Sequence, residues 1–224
     1  ATAPVLGLAP LAWQVLDLAL RWLGVLIFVT TLQQVWPGFK TGARWAGLLL
    51  VVFPGFNQQA VTAYNQHWFA ALLFCGSLAL MVWAARTRRG PQLAALLGLA
   101  ALLALAQMLT MEYFVGLELL RPLLLWLVIS TRDPGAPRPA RLRRVLLAWL
   151  PFALALAAFA AWRFGYYSAT VTDTNAPSLL LALQSAPSAA LRQFMQIGLR
   201  DSLHNLLFAW TNTLAIETIS ARGL

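Results

Sequence analysis

Glu118 and Arg121 stand three residues apart inside the apolar run Tyr113 to Ser130, and Pro122 follows at once. On a helix this spacing puts both side chains on one face. A guanidinium there suits a phosphate and a carboxylate suits proton transfer. At membrane depth an ionisable pair is costly, so it faces a bundle interior or a wet cavity. Pro122 has no N–H, which removes the helical partner of the Glu118 carbonyl and disfavours helical geometry at Arg121; the helix is expected to kink or restart there. Two readings stay open. Glu118, Arg121 and Glu112 line an outward-facing cavity, or Glu118 and Arg121 form an internal ion pair that locks this helix against a neighbour.

Gln14, Asp17 and Arg21, spaced three and four apart, form a second polar stripe in which Asp17 and Arg21 can pair. Such a stripe beside Glu118 would complete a buried polar network, which more often holds a bundle together than reacts. The stretch FPGFNQQAVTAYNQH, Phe53 to His67, joins a Pro–Gly break to the amides of Asn57, Gln58, Gln59, Asn65 and Gln66. These neutral groups suit sugar hydroxyls or a lipid headgroup, or simply a solvated turn between helices. His67 is a candidate ligand for haem iron or pigment magnesium, with a helix-capping role as the plainer alternative. His204 is read in the same way. The single cysteine, Cys75, excludes a disulfide framework and a cysteine metal site. No glycine-rich phosphate loop, serine nucleophile motif or HExxH pattern occurs, and no cofactor or metal is evident.

The elements that must position these residues are membrane helices. The chain has 224 residues, is 60% hydrophobic and 10% charged, and has mean hydropathy +0.71; the expected fold is an all-α, polytopic transmembrane helix bundle. Apolar segments run over Leu11 to Leu32, Trp45 to Phe56, His67 to Ala85, Leu93 to Met111, Tyr113 to Ser130 and Val145 to Trp162. That gives about six spans. The second, with twelve residues, is short of the roughly twenty needed to cross.

The net charge of +9 is carried by sixteen basic residues, fifteen of them Arg, mainly in short loops. This pattern reports topology and argues against nucleic acid as a partner. If all six segments cross, Lys40, Arg44, Arg86, Arg88, Arg89, Arg132, Arg138, Arg141, Arg143 and Arg144 share one side. The positive-inside rule makes that side cytoplasmic, in an inner membrane, with the N-terminus outside. Most of the ten Trp residues fall near span ends, as an interfacial belt would.

Three regions follow: a transmembrane bundle over 1–163, an external loop over 164–188, and an amphipathic interfacial helix and tail over 189–224. In the last, Leu191, Phe194, Met195, Leu199 and Leu203 recur at helical spacing, while Arg192, Gln196, Arg200 and Asp201 take the other side. The first residue is Ala1, and the sequence reads as a processed product or a piece of a longer protein.

The run Arg44 to Arg86, with a short apolar span ending in FPGF, a polar outer turn and a long span running to Arg86, resembles part of a GT-C glycosyltransferase, as does RWLGVL at Arg21. The stretch EYFVGLELLRP is similar to one in uncharacterised polytopic proteins of filamentous phototrophic bacteria. The resemblance covers about two thirds of the chain. It implies an enzyme taking sugars from polyprenyl-phosphate carriers, with catalytic carboxylates in a first external loop. Ala1 to Pro10 holds no Asp or Glu, so no residue here is assigned as the catalytic base. Two functions are thus expected: a glycosyltransferase-like protein, fragmentary or degenerate, with a cavity lined by Gln58, Gln59, Glu112, Glu118 and Arg121; or a non-catalytic accessory subunit of a larger photosynthetic or respiratory membrane complex. A transporter is a weaker third reading, since no inverted repeat is visible.

Overall fold

The computed structural model describes residues 10–53, 65–87, 90–167, 182 and 185–208, and no strand occurs among them. The α-helices among these residues are α1 Pro10–Val35, α2 Lys40–Val52, α3 Asn65–Arg86, α4 Gly90–Thr110, α5 Arg121–Arg132, α6 Arg138–Ala161 and α7 Pro187–Leu203. A 3₁₀ segment, Glu112–Leu120, precedes α5, and π-helical turns at Trp162–Tyr167 and His204–Phe208 follow α6 and α7. Among the described residues, five stretches are long and apolar enough to cross a membrane: Pro10–Val35, Asn65–Arg86, Gly90–Thr110, Phe114–Arg132 and Arg138–Tyr167. The protein is an all-α polytopic membrane bundle.

Of the second expected span, Trp45 to Phe56, residues 54–56 lie outside the described set. Its described part, α2, has 13 residues and reaches about 20 Å at 1.5 Å per residue, against a hydrocarbon core of about 30 Å. It carries the chain back along α1. Leu50 near its end meets Arg21, near the middle of α1, while the turn Trp36 to Phe39 ties its beginning to the end of α1. The approach needs Gly47: a Cβ there would lie 2.3 Å from Val29 Cγ2. Small residues at helix contacts are the usual device for close packing where lipid supplies no hydrophobic drive between helices.

α1, α3 and α5 run in the same direction. Arg86, ending α3, donates to the carbonyl of Gln34 near the end of α1, and Arg132, ending α5, donates to the carbonyl of Ala85 at 2.7 Å. α4 and α6 return between them. Ala100, Ala104, Val128 and Phe152 form the main core with Met81 and Val82, and Met108, Ala155 and Phe159 form a smaller cluster. The Ser77 hydroxyl crosses from α3 to the Ala100 carbonyl of α4 at 2.6 Å. Leucines such as Leu26, Leu102 and Leu154 stay exposed, as a lipid-facing surface requires.

The expected loop over 164–188 begins instead as a π-helical continuation of α6 through Tyr167; residues 168–181, 183 and 184 lie outside the described set. α7 belongs to a second compact unit and is described by itself. It begins with a Pro near its first position, a place where the missing N–H costs nothing. Its apolar residues Leu191, Phe194, Met195 and Leu199 are exposed, as are its polar residues Arg192, Gln196 and Arg200; residues 209–224, the rest of that expected element, are not described.

Candidate functional site

The Glu118–Arg121 site is built by a change of helix type. In the 3₁₀ segment the Arg121 N–H donates to the Glu118 carbonyl, so the carbonyl that Pro122 would have orphaned in an α-helix is satisfied by an i→i+3 bond. Pro122 then falls in the first turn of α5, where it needs no N–H donor. The expected restart at Arg121 is present. The expected avoidance of helical geometry at Arg121 is corrected, since its φ of −58° and ψ of −44° are α-helical.

The pair is internal. Arg121 is 0% exposed and Glu118 2%. Arg121 Nη2 donates to Glu118 Oε1 at 2.7 Å and Arg121 Nε to Glu118 Oε2, a bidentate fork that fixes both side chains. The guanidinium carbon lies 4.5 Å from the ring centre of Phe152 on α6 and 5.6 Å from that of Phe74 on α3, within cation–π range. Phe74 in turn stacks on Phe114 of the 3₁₀ segment at 5.5 Å. One guanidinium therefore ties α3, the 3₁₀ segment, α5 and α6 together. Phe74 is nine residues into α3 and Phe152 fourteen into α6, which places the knot about 14 to 21 Å along each helix, near mid-depth. Arg121 Nη1 is buried without a partner, as is Oε1 of Gln107; Gln107 Nε2 donates to the Met111 carbonyl at 3.0 Å.

The other candidate residues do not join this site. Glu112 is 53% exposed and pairs with Arg163 at 2.7 Å, and Arg163 also lies 4.6 Å from the Tyr167 ring centre. Asp17 and Arg21 are buried on α1 while Gln14 is exposed. Their expected direct pairing is replaced by separate partners across helices. Asn65, with its amide nitrogen turned to α1, donates to both Asp17 oxygens; Arg21 Nη2 donates to the Leu50 carbonyl at 3.1 Å and its guanidinium carbon stands 5.3 Å from the Trp68 ring centre. The stripe thus sews α1 to α2 and α3. His67 is half-buried in the first turn of α3, and no group of three His, Cys, Asp or Glu is placed to hold a metal among the described residues. Gln58 and Gln59 lie outside them.

Sequence reasoning missed Phe74, Phe152, Asn65 and Arg163 as partners of the charged groups. Five carboxylates fall among the described residues, and all five are held: Asp17 by Asn65, Glu112 by Arg163, Glu118 by Arg121, Asp133 by Arg144 and Asp201 by Arg200. No family model, curated protein or solved structure matches this chain.

Proposed function

We propose that this chain is a non-catalytic helical subunit of a larger membrane assembly, whose buried polar groups fix the arrangement of its helices. The observation that carries this is the burial of Glu118 and Arg121 against each other and between two rings. A carboxylate that is to take a proton from a substrate must reach it, and Glu118 is occupied on both oxygens. A bidentate pair at mid-depth instead gives one register of α3, α5 and α6 an advantage over slipped alternatives, in which a charge would be left unpaired in hydrocarbon. The large exposed apolar faces serve contact with lipid and with other subunits. In this reading the basic end faces the cytoplasm of a bacterial inner membrane and the start of α1 faces outward.

The glycosyltransferase-like alternative needs a free carboxylate beside a lipid-phosphate sugar. The described carboxylates give it no support, and Asp173 and Glu217 lie outside the described residues. The discriminating experiment is a transfer assay on the purified chain in nanodiscs, with a polyprenyl-phosphate-linked hexose as donor. No release of hexose is expected. Turnover that disappears in Glu118→Gln, in a variant still folded by size-exclusion profile, would overturn the scaffold reading.

A further inference from the structure

The basic end of the bundle holds a cavity that the charged knot does not use. It occupies about 660 Å³ between the ends of α3 and α5 and the beginnings of α4 and α6, with Arg132, Asp133 and Arg144 at its polar side and Leu97, Ile129 and Leu147 among its apolar walls. That volume lies in the range of about 300 to 1,000 Å³ typical of small-molecule sites. A second cavity of about 270 Å³, lined by Pro37, Arg86, Thr131 and Arg132, adjoins it through Arg132.

The cationic groups are positioned rather than loose. Arg132 Nη1 donates to the carbonyls of Ala85 at 2.7 Å and Thr87 at 3.4 Å, which anchors its head at the end of α3, while Nε and Nη2 bond to none of the described residues. The carbonyl end of α3 would repel an anion, and this guanidinium stands against it. Arg144 is 55% exposed and holds Asp133 at 2.5 Å through Nη1. The three charged lining residues sum to +1, from two Arg and one Asp, and Arg86 on the adjoining cavity raises this further. Cationic groups above an apolar slot match one chemical class: an amphiphile with an anionic head and a hydrocarbon tail. Basic pockets between membrane helices on the cytoplasmic side take anionic headgroups in the same way.

The geometry points to a binding site for an anionic glycerophospholipid, its phosphate held by Arg132 and Arg144 and one acyl chain laid along Leu97, Ile129 and Leu147. The phosphate accepts hydrogen bonds from the two unused Arg132 donors, in the forked geometry that guanidinium favours over ammonium. Arg144 then shares its charge between Asp133 and the ligand. Bound there, the lipid would fill the gap between α3 and α6 and count as a structural component of the bundle.

The test is native mass spectrometry of the detergent-purified chain after incubation with phosphatidylglycerol or with phosphatidylcholine of equal chain length. One tightly retained phosphatidylglycerol is expected, with phosphatidylcholine retained about tenfold less, because its choline cation, fixed beside the same phosphate, is repelled by Arg132 and Arg144. Arg144→Gln alters an exposed side chain and is expected to keep the fold while weakening retention several-fold. Ala148→Trp, from the cavity wall, blocks the acyl slot without touching any charge and is expected to remove retention. Equal retention of both lipids, or retention of phosphatidylglycerol unchanged in both variants, would overturn the site. Displacement of phosphatidylglycerol by soluble glycerol 3-phosphate at equal concentration would overturn the lipid assignment, since the apolar slot would then contribute nothing.

Discussion

Removing one member of the Glu118–Arg121 pair should cost far more than removing both. In Arg121→Met, Glu118 keeps its place at 2% exposure and loses both of its fork bonds; in Glu118→Gln, the guanidinium is left between two rings without its counter-charge. Breaking a buried pair from one side costs about 3 to 5 kcal/mol, whereas replacing both partners by groups of similar volume is close to neutral. At roughly 2 to 4 °C per kcal/mol for a chain of this size, each single variant should melt about 10 °C lower than the native protein. The double variant should fall within about 3 °C of it. Cys75, the single cysteine, lies beside Phe74 and supplies the reporter: a maleimide dye that fluoresces on reaction follows its exposure as the detergent-solubilised protein is heated. Additive losses, with the double variant melting about 20 °C low, would mean that the two residues do not act as a unit. Single variants that melt like the native protein would remove the lock altogether.

Gly47→Ala should destabilise by about 1 to 3 kcal/mol through overpacking against Val29, and Val29→Ala in the same chain should recover most of that loss in the same melting assay; an unrelieved loss would place the cause in α2 alone. Glu112→Gln should cost under about 1 kcal/mol, because its pairing with Arg163 is half solvated, and the difference from the native protein should vanish in high salt. A salt-independent loss as large as that of Glu118→Gln would show that this pair too is structural.

Much of the architecture was legible because membrane physics leaves few choices. Long apolar runs became α1, α3 and α4 within a few residues of their expected limits, α6 began seven residues before its expected Val145, and the i,i+3 spacing of Glu118 and Arg121 became a direct pair. The helix type around that pair was not legible. Pro122 can be accommodated by a kink, a restart or a 3₁₀ approach, and the 3₁₀ segment was selected by how it satisfies the Glu118 carbonyl. The rings that enclose Arg121 were equally hidden, because every face of a membrane helix is apolar and nothing local distinguishes a core Phe74 or Phe152 from a lipid-facing Phe69. Asp17 and Arg21 looked like partners at i,i+4, yet each found a neutral group on another helix. Arg132 and Arg144 read as topology signals, and only the packing of α3 to α6 shows that they border a cavity.

Whether buried polar groups such as Glu118 and Arg121 hold these helices in place within a larger assembly is tested by gentle detergent extraction from the native membrane, followed by native mass analysis of whatever contains this chain. A discrete complex carrying the chain at fixed stoichiometry is expected, preserved when Glu118→Gln and Arg121→Met are introduced together. A chain that runs without other subunits and transfers hexose from a polyprenyl-phosphate donor would contradict it.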